Sequence, residues 1–461
     1  MLKSNLWLID RKQRRRAQLS NAKPVGAFLT SSLSSMAPDR FRPFAGEGVE
    51  TDYPRWVPIS ATLLSSMLAN VLAVVSTALL VRMLGGEAFG KAALFTSAAM
   101  TLGTVTSSGI CLHILRVTAR VVSGEEVRVQ IWIGTIMGQC IAALISVGLL
   151  TMGLLQDERS LFEYFLTALS LHFTTSDALS KNRLVGGQRL MPLAGATIFG
   201  SISTVGLQLL GAYVAGPRGY MIGFAMGTGL NALSSWLACQ ASLPKMGSWP
   251  IGIFRRMRER ELLGFITLGT LAACVVPLAH WLNSLMAAHK MNSYGEVAML
   301  TIAMQFFNMV IFVPTILNKI VLPKTIKADF NRDIDDSRSE AQRQTWRMIL
   351  LTAPMLLAVW ALSDLITSIY RFRTPDGITV ILCFVGGSVL ACAAIPLSNY
   401  FVSHSKMKLG LVGNLLWAAI YLGLAWAIPG GAISTAISLF CAYFLNLIIA
   451  LFLVKASHHA Q

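Results

Sequence analysis

Charge is what this sequence has least of. Only 13% of the 461 residues are Asp, Glu, Lys or Arg, against roughly 25% in an ordinary soluble protein. A soluble chain of this length needs more charge to cover its surface, so two or three soluble domains are excluded. Acidic residues are the scarcer sign, 22 against 38 basic ones. Cysteine is sparse too. The seven cysteines all fall in apolar stretches and none forms a CxxC pair, which reads as small hydrophobes in helices rather than a disulfide framework or a metal site. There is no GxxxxGK[ST], GxSxG, HExxH or dinucleotide fingerprint. No catalytic cluster stands out, so an enzyme is the weaker reading, and ATP-driven chemistry would need another polypeptide. Long polar loops are missing after residue 57: none exceeds about 25 residues.

What is present is apolar sequence: 54% AVILMFWYC and a mean hydropathy of +0.60. Apolar runs of about 18–26 residues recur, each long enough to cross a bilayer as a helix. They fall near 57–81, 92–114, 131–154, 161–180, 191–214, 219–239, 262–285, 297–320, 348–369, 378–402, 408–427 and 431–454. The fourth is the least apolar, with Glu163, His172 and Asp177 inside it. The predicted class is an all-α polytopic membrane protein of about twelve transmembrane helices.

The charge then sorts by side. On the side of the N-terminus lie 31 of the 38 Lys and Arg; the other side has Arg82, Lys91, Arg159, Arg218, Lys290, Arg371 and Arg373. This is the positive-inside pattern, and it predicts that both termini are cytoplasmic. Residues 1–56 hold ten Lys/Arg, five of them in Arg11–Arg16, and read as a disordered basic tail near an anionic membrane surface. No cleavable signal peptide is evident, and nothing around the basic cluster would read nucleic acid.

A faint repeat relates 215–238 to 428–450: a short turn, a glycine, then an apolar helix. It predicts two halves, 57–240 and 262–454, joined by a basic linker at 241–261 and followed by a short tail at 455–461. Repeated halves are a habit of secondary transporters. Pro277, Pro314, Pro323 and Pro396 are candidate kinks or hinges.

Ionisable residues at membrane depth are functional candidates. Asp177 and Lys181 stand one turn apart and can pair on one helix face. Asp364 closes the ninth span. Arg116, Lys181, Arg183 and Arg189 form a basic set at the inner side of the first half, suited to an anionic head group such as a pyrophosphate. His113, His172 and His280 stand singly, without metal-ligand spacing. Amides recur in the spans, among them Gln139, Gln208, Asn231, Gln305, Asn308 and Asn414. They are costly in lipid, so they should face the bundle interior, as glue or as the wall of a polar cavity.

Four stretches resemble one family. They are LLVRMLGGEAFGKAALFTSA (79–98), SSGICLHILRVTAR (107–120), NRLVGGQRLMPLAG (182–195) and FFNMVIFVPTILNKIVLPK (306–324). Together they are similar to polysaccharide transporters of the multidrug/oligosaccharidyl-lipid/polysaccharide (MOP) exporter superfamily. Arg116 and Arg189 match basic positions of that pattern. The long N-terminal tail, and the polar pair Asn318 and Lys319, depart from it. The resemblance implies two six-helix bundles of the MOP/MATE kind around a central cavity, working by alternating access. It implies a flippase in the bacterial inner membrane that moves undecaprenyl-pyrophosphate-linked oligosaccharide units for O-antigen or exopolysaccharide synthesis. Membrane lipids, a polysaccharide polymerase and a chain-length regulator would be its partners. No cofactor is implied; coupling to H+ or Na+ would fall to Asp177 and Asp364. The alternatives are a cation-coupled exporter of small amphipathic compounds, which predicts more acid in the cavity, and a membrane enzyme or assembly component of polysaccharide synthesis.

Overall fold

The computed structural model describes residues 56–119, 124–156, 158–243, 260–329, 334–370, 376–403 and 407–456. The basic tail, most of the 241–261 linker and the last five residues lie outside them, as do the side chains of Arg116, Asn318 and Lys319. Among the described residues there is helix and no strand.

The helices are α1 (Trp56–Leu84), α2 (Gly86–Ala119), α3 (Gly124–Gln156), α4 (Glu158–Gly186), α5 (Leu190–Ser242) and α6 (Arg260–Met291). They continue as α7 (Gly295–Asp329), α8 (Ile334–Ala361), α9 (Ser363–Tyr370), α10 (Asp376–Ser403), α11 (Met407–Ala427) and α12 (Ala432–Ala456). Nine of these are long and apolar enough to cross a membrane, or ten when α8 and α9, bent by 63°, form one span. Two features explain the difference from twelve predicted spans.

First, α5 is two antiparallel arms. Ala215 and Gly216 are non-helical, Gly216 has φ +60° and Pro217 follows. A Cβ on Gly211 would lie 2.0 Å from the Gly219 carbonyl oxygen, and one on Gly223 would lie 2.1 Å from that of Leu207. The two arms therefore touch backbone to backbone along their length, as small residues permit in membranes. They match the predicted fifth and sixth spans. Second, α4 is 29 residues long but carries Glu163, Asp177, Lys181 and Arg183, so it fails on polarity rather than length. Its sides are covered by α2, α3 and α5.

The charged stretch between the predicted spans 297–320 and 348–369 is helical over most of its length rather than a loop. Helix α7 runs on to Asp329 and α8 starts at Ile334. Glu340 pairs with Arg343 at 3.3 Å and with Arg347 at 3.7 Å, so polar sequence here extends a helix instead of ending it. The prolines likewise do not end their spans: α6 and α10 continue through Pro277 and Pro396.

Helices α1–α5 pack as one half and α6–α12 as the other; α1 and α2 meet α6 and α7 across the seam. The core of the second half is aromatic, with Phe384, Trp417 and Tyr421 each 1% exposed. The outer surface is apolar: Leu155 is 81% exposed and Leu350 74%. A lipid solvent tolerates such a belt and water does not. The repeat has a structural counterpart, since the second arm of α5 and helix α12 each follow a positive-φ glycine, Gly216 and Gly430.

Candidate functional site: a cavity between the two halves

The turns at Gly85, at 215–217, at 292–294 and at 428–431 gather at one end of the molecule, the upper end. Three polar contacts cross the seam there. Arg82 donates to the carbonyls of Ile369 (2.8 Å) and Ser368 (3.3 Å). The Glu87 carboxylate accepts from Ser293 Oγ and from the Tyr294 N–H, the latter at 2.8 Å. Tyr370 Oη donates to the Val74 carbonyl at 3.1 Å. Below them, a glycine allows α2 to approach α6 closely: a Cβ on Gly109 would lie 2.2 Å from the Ile266 carbonyl oxygen.

Between the halves is a cavity of about 850 Å³. Its first-half wall is hydroxyl- and amide-rich, with Thr77, Thr96, Thr101, Ser107, Gln208, Asn231 and others from α1, α2 and α5. Its second-half wall carries His280, Trp281, Phe307, Phe384 and Tyr421, with Gln305 and Asn308 from α7. Four of the amides singled out in the sequence, Gln208, Asn231, Gln305 and Asn308, thus line the cavity. Two are glue: Gln139 bridges His172 (2.9 Å) and Ser176 (2.8 Å), and Asn414 donates to the Ala272 carbonyl at 2.8 Å.

One carboxylate reaches the wall, Asp177. Its Oδ2 accepts from Lys181 Nζ at 2.8 Å and Asn231 Nδ2 at 3.0 Å; its Oδ1 accepts from Ser235 Oγ at 2.6 Å. The predicted one-turn pairing with Lys181 is present. Asn231 closes the ring, its Oδ1 accepting from Lys181 at 3.3 Å. Gly200 makes room for it, because a Cβ there would sit 1.8 Å from the Asn231 amide oxygen. A carboxylate in this setting has its charge balanced and its lone pairs used, which is what keeps an ion affordable at membrane depth.

The remaining predicted residues are elsewhere. Arg183 is 7% exposed, and its Nε has no hydrogen-bond partner. It lies near Cys239 at the lower end, where the last turns of α2, α4 and α5 converge: Gly186 abuts Thr118, and Gly187 abuts Leu243. Arg189 precedes α5 at the same end. The backbone of Arg116 is in the last turns of α2. Asp364 is exposed in the first turn of α9. None of Lys181, Arg183, Arg189 and Asp364 is part of the cavity wall. Arg183 and Arg189 thus lie at the lower end, while Lys181 is held by Asp177 just off the wall. The aromatic wall was missed by sequence reasoning, since single aromatics in apolar helices carry no signal of what they face. Among the described residues no group of His, Cys, Asp or Glu could hold a metal ion.

The comparisons agree with this architecture. A family model described as "Polysaccharide biosynthesis protein" matches residues 58–323. No curated protein sequence matches. The fold is similar to that of a multidrug resistance MATE family transporter of the MOP superfamily in its inward-facing conformation. There the TM-score is 0.65 and the identity 13%, over 87% of this chain and 98% of that one. It is also similar to lipid II flippase MurJ in an inward closed conformation, with a TM-score of 0.66 and 12% identity over 86% and 87% of the two chains. An outward-facing MATE structure gives 0.62 and 15%, over 88% and 94%. The two-bundle fold of the MOP superfamily and the family match over more than half its length agree: this chain is a polytopic membrane protein of the polysaccharide biosynthesis protein family.

Proposed function

We propose that this protein is a flippase for undecaprenyl-pyrophosphate-linked oligosaccharide units, moving them across the bacterial inner membrane by alternating access. The observation that carries the reading is the 850 Å³ cavity between the halves, walled by hydroxyls and amides on one side and aromatic rings on the other. Hydroxyl and amide groups exchange hydrogen bonds with sugar hydroxyls. Aromatic faces stack against sugar C–H surfaces. The volume is at the upper end of the roughly 300–1,000 Å³ typical of small-ligand sites, room for a short glycan. The basic set, Arg116, Lys181, Arg183 and Arg189, receives the pyrophosphate at the mouth, while the polyprenyl tail stays in lipid. A pyrophosphate crossing bare hydrocarbon would face a prohibitive desolvation cost, and this path lowers it. By the positive-inside rule the basic lower end is cytoplasmic and the upper end periplasmic. Asp177 and Asp364 remain the acidic candidates for H+ or Na+ coupling. The reading makes the protein a transporter rather than an enzyme, serving O-antigen or exopolysaccharide synthesis beside a polymerase and a chain-length regulator.

One observation favours a second reading. Asp177 is acidic and shares the cavity with aromatic rings, a pattern that also suits a cationic amphiphile. Competition separates the two. An undecaprenyl-pyrophosphate disaccharide is expected to stabilise the purified protein thermally, with ethidium unable to displace it. Stabilisation by ethidium, and none by the glycolipid, would favour the exporter.

A further inference from the structure

The cavity wall contains no lysine or arginine among its described residues. Its one carboxylate, Asp177, is already matched by Lys181 at 2.8 Å. An anionic head group inside this cavity therefore meets no fixed positive charge that is free to answer it. Among the described wall residues, the side chain that can become a cation by taking up a proton is His280 of α6, and it belongs to no ion pair. It stands on the second half, opposite Asp177.

His280 is ringed by aromatic side chains. Its Nδ1 is 3.5 Å from Tyr421 Oη. The imidazole centroid is 5.4 Å from the Tyr421 ring, 5.6 Å from that of Trp417 and 6.0 Å from that of Phe307. The indole N–H of Trp281, on the wall, is buried without a hydrogen-bond partner, a donor left over for a bound group or an ordered water. Titratable groups on the elements packed against α6 include Tyr421 on α11, Tyr443 on α12 behind Trp417, and Cys111 and His113 on α2, buried within a turn of Gly109. Glu87 and Lys91 of α2, Lys408 of α11, and Cys441 and Lys455 of α12 complete the titratable side chains described on those helices. Helix α7 faces the cavity with neutral Gln305 and Asn308, its Glu296 being bound to the Ala432 N–H at the upper end. Cys274, His289 and Lys290 share α6; Lys290 is held by the carbonyls of Ala425, Trp426 and Ile428. Across the cavity stands Asp177, which is paired with Lys181 off the wall.

We propose that His280 is a proton-binding site in the cavity wall, and that an anionic head group occupies the cavity together with a proton taken up on this imidazole. The inference rests on the flippase reading for the charge of the ligand, and adds to it a pH-dependent step located on one residue. The sign follows from linkage. An anion beside an imidazole favours its charged form. Binding therefore takes up a proton, and affinity falls as pH rises.

The test uses the full chain in detergent with farnesyl-pyrophosphoryl-N-acetylglucosamine. This diester keeps a constant charge across neutral pH, so any proton uptake belongs to the protein. Titration calorimetry in two buffers of different ionisation enthalpy counts the protons. The wild type should take up a proton on binding and weaken up to roughly tenfold per pH unit at the steepest point. His280→Gln should lose the uptake and the slope, and bind at the weak level that the wild type reaches at high pH. Asp177→Asn, which frees Lys181 and should hold the anion more tightly, should keep the slope, which guards against a general effect of cavity variants. A pH-independent wild type, or a slope that survives in His280→Gln, overturns the role of His280 and leaves the flippase reading standing. No binding of the diester at any pH overturns both.

Discussion

Asp177→Ala is expected to be the most damaging single change in the cavity. It removes the one partner that balances Lys181, leaving the ammonium with only the Asn231 amide oxygen at 3.3 Å. Breaking a fully buried pair costs about 3–5 kcal/mol, and an exposed pair about 1 kcal/mol or less. The two side chains are 15% and 25% exposed, so the loss should fall between, near 2 kcal/mol. Reversible unfolding in mixed micelles reads it as a lowered midpoint. Transport should fall further, roughly tenfold or more, since 1.4 kcal/mol of lost complementarity already costs a factor of ten. The double variant Asp177→Asn, Lys181→Met separates the effects: it should recover the midpoint and not the transport. Wild-type stability in Asp177→Ala would show that the pair carries no structural weight.

The second large effect belongs to the upper end. Alternating access requires the contacts of Arg82, Glu87 and Tyr370 across the seam to break whenever the cavity opens on that side. A hydrogen bond contributes about 0.5–1.5 kcal/mol net. Arg82 and Glu87 are exposed, so their share belongs at the low end of that range. The triple variant Arg82→Ala, Glu87→Gln, Tyr370→Phe should shift the balance by about 2 kcal/mol towards upper-end opening, roughly thirty-fold in population. The readout is the labelling rate of a cysteine placed at Ser76, on the cavity wall, with an impermeant maleimide in sealed vesicles. A faster rate from the upper side is expected. An unchanged rate would mean that closure rests on helix packing, such as the close approach of Gly90 to the Tyr294 carbonyl.

Much of the architecture was legible because membrane helices announce themselves by length and apolarity. The places where reading and structure part are physical. Helix α4 is too polar for its length, because its charges are satisfied inside the half, Asp177 by Lys181, Asn231 and Ser235. The helical extension over 334–347 is braced by the one-turn pair of Glu340 and Arg343, which in a sequence looks like any polar loop. The site was half legible. Asp177 and Lys181 were found as a pair because spacing on one helix suffices to predict it. His280 was visible only as a lone imidazole and the aromatic wall not at all, since α6, α7 and α11 are brought together only by tertiary packing. Of the basic candidates, Lys181, Arg183 and Arg189 lie off the cavity wall, which itself carries a paired carboxylate and an imidazole.

The most direct test of the central claim is reconstitution. The full chain is placed in liposomes containing an undecaprenyl-pyrophosphate glycan with a fluorophore on its sugar, and an impermeant reductant is added outside. A flippase brings inner-leaflet probe to the reductant, so quenching should pass the half expected of one exposed leaflet and approach completion. Quenching that stops at the level of protein-free vesicles, with folded protein inserted, would contradict the account.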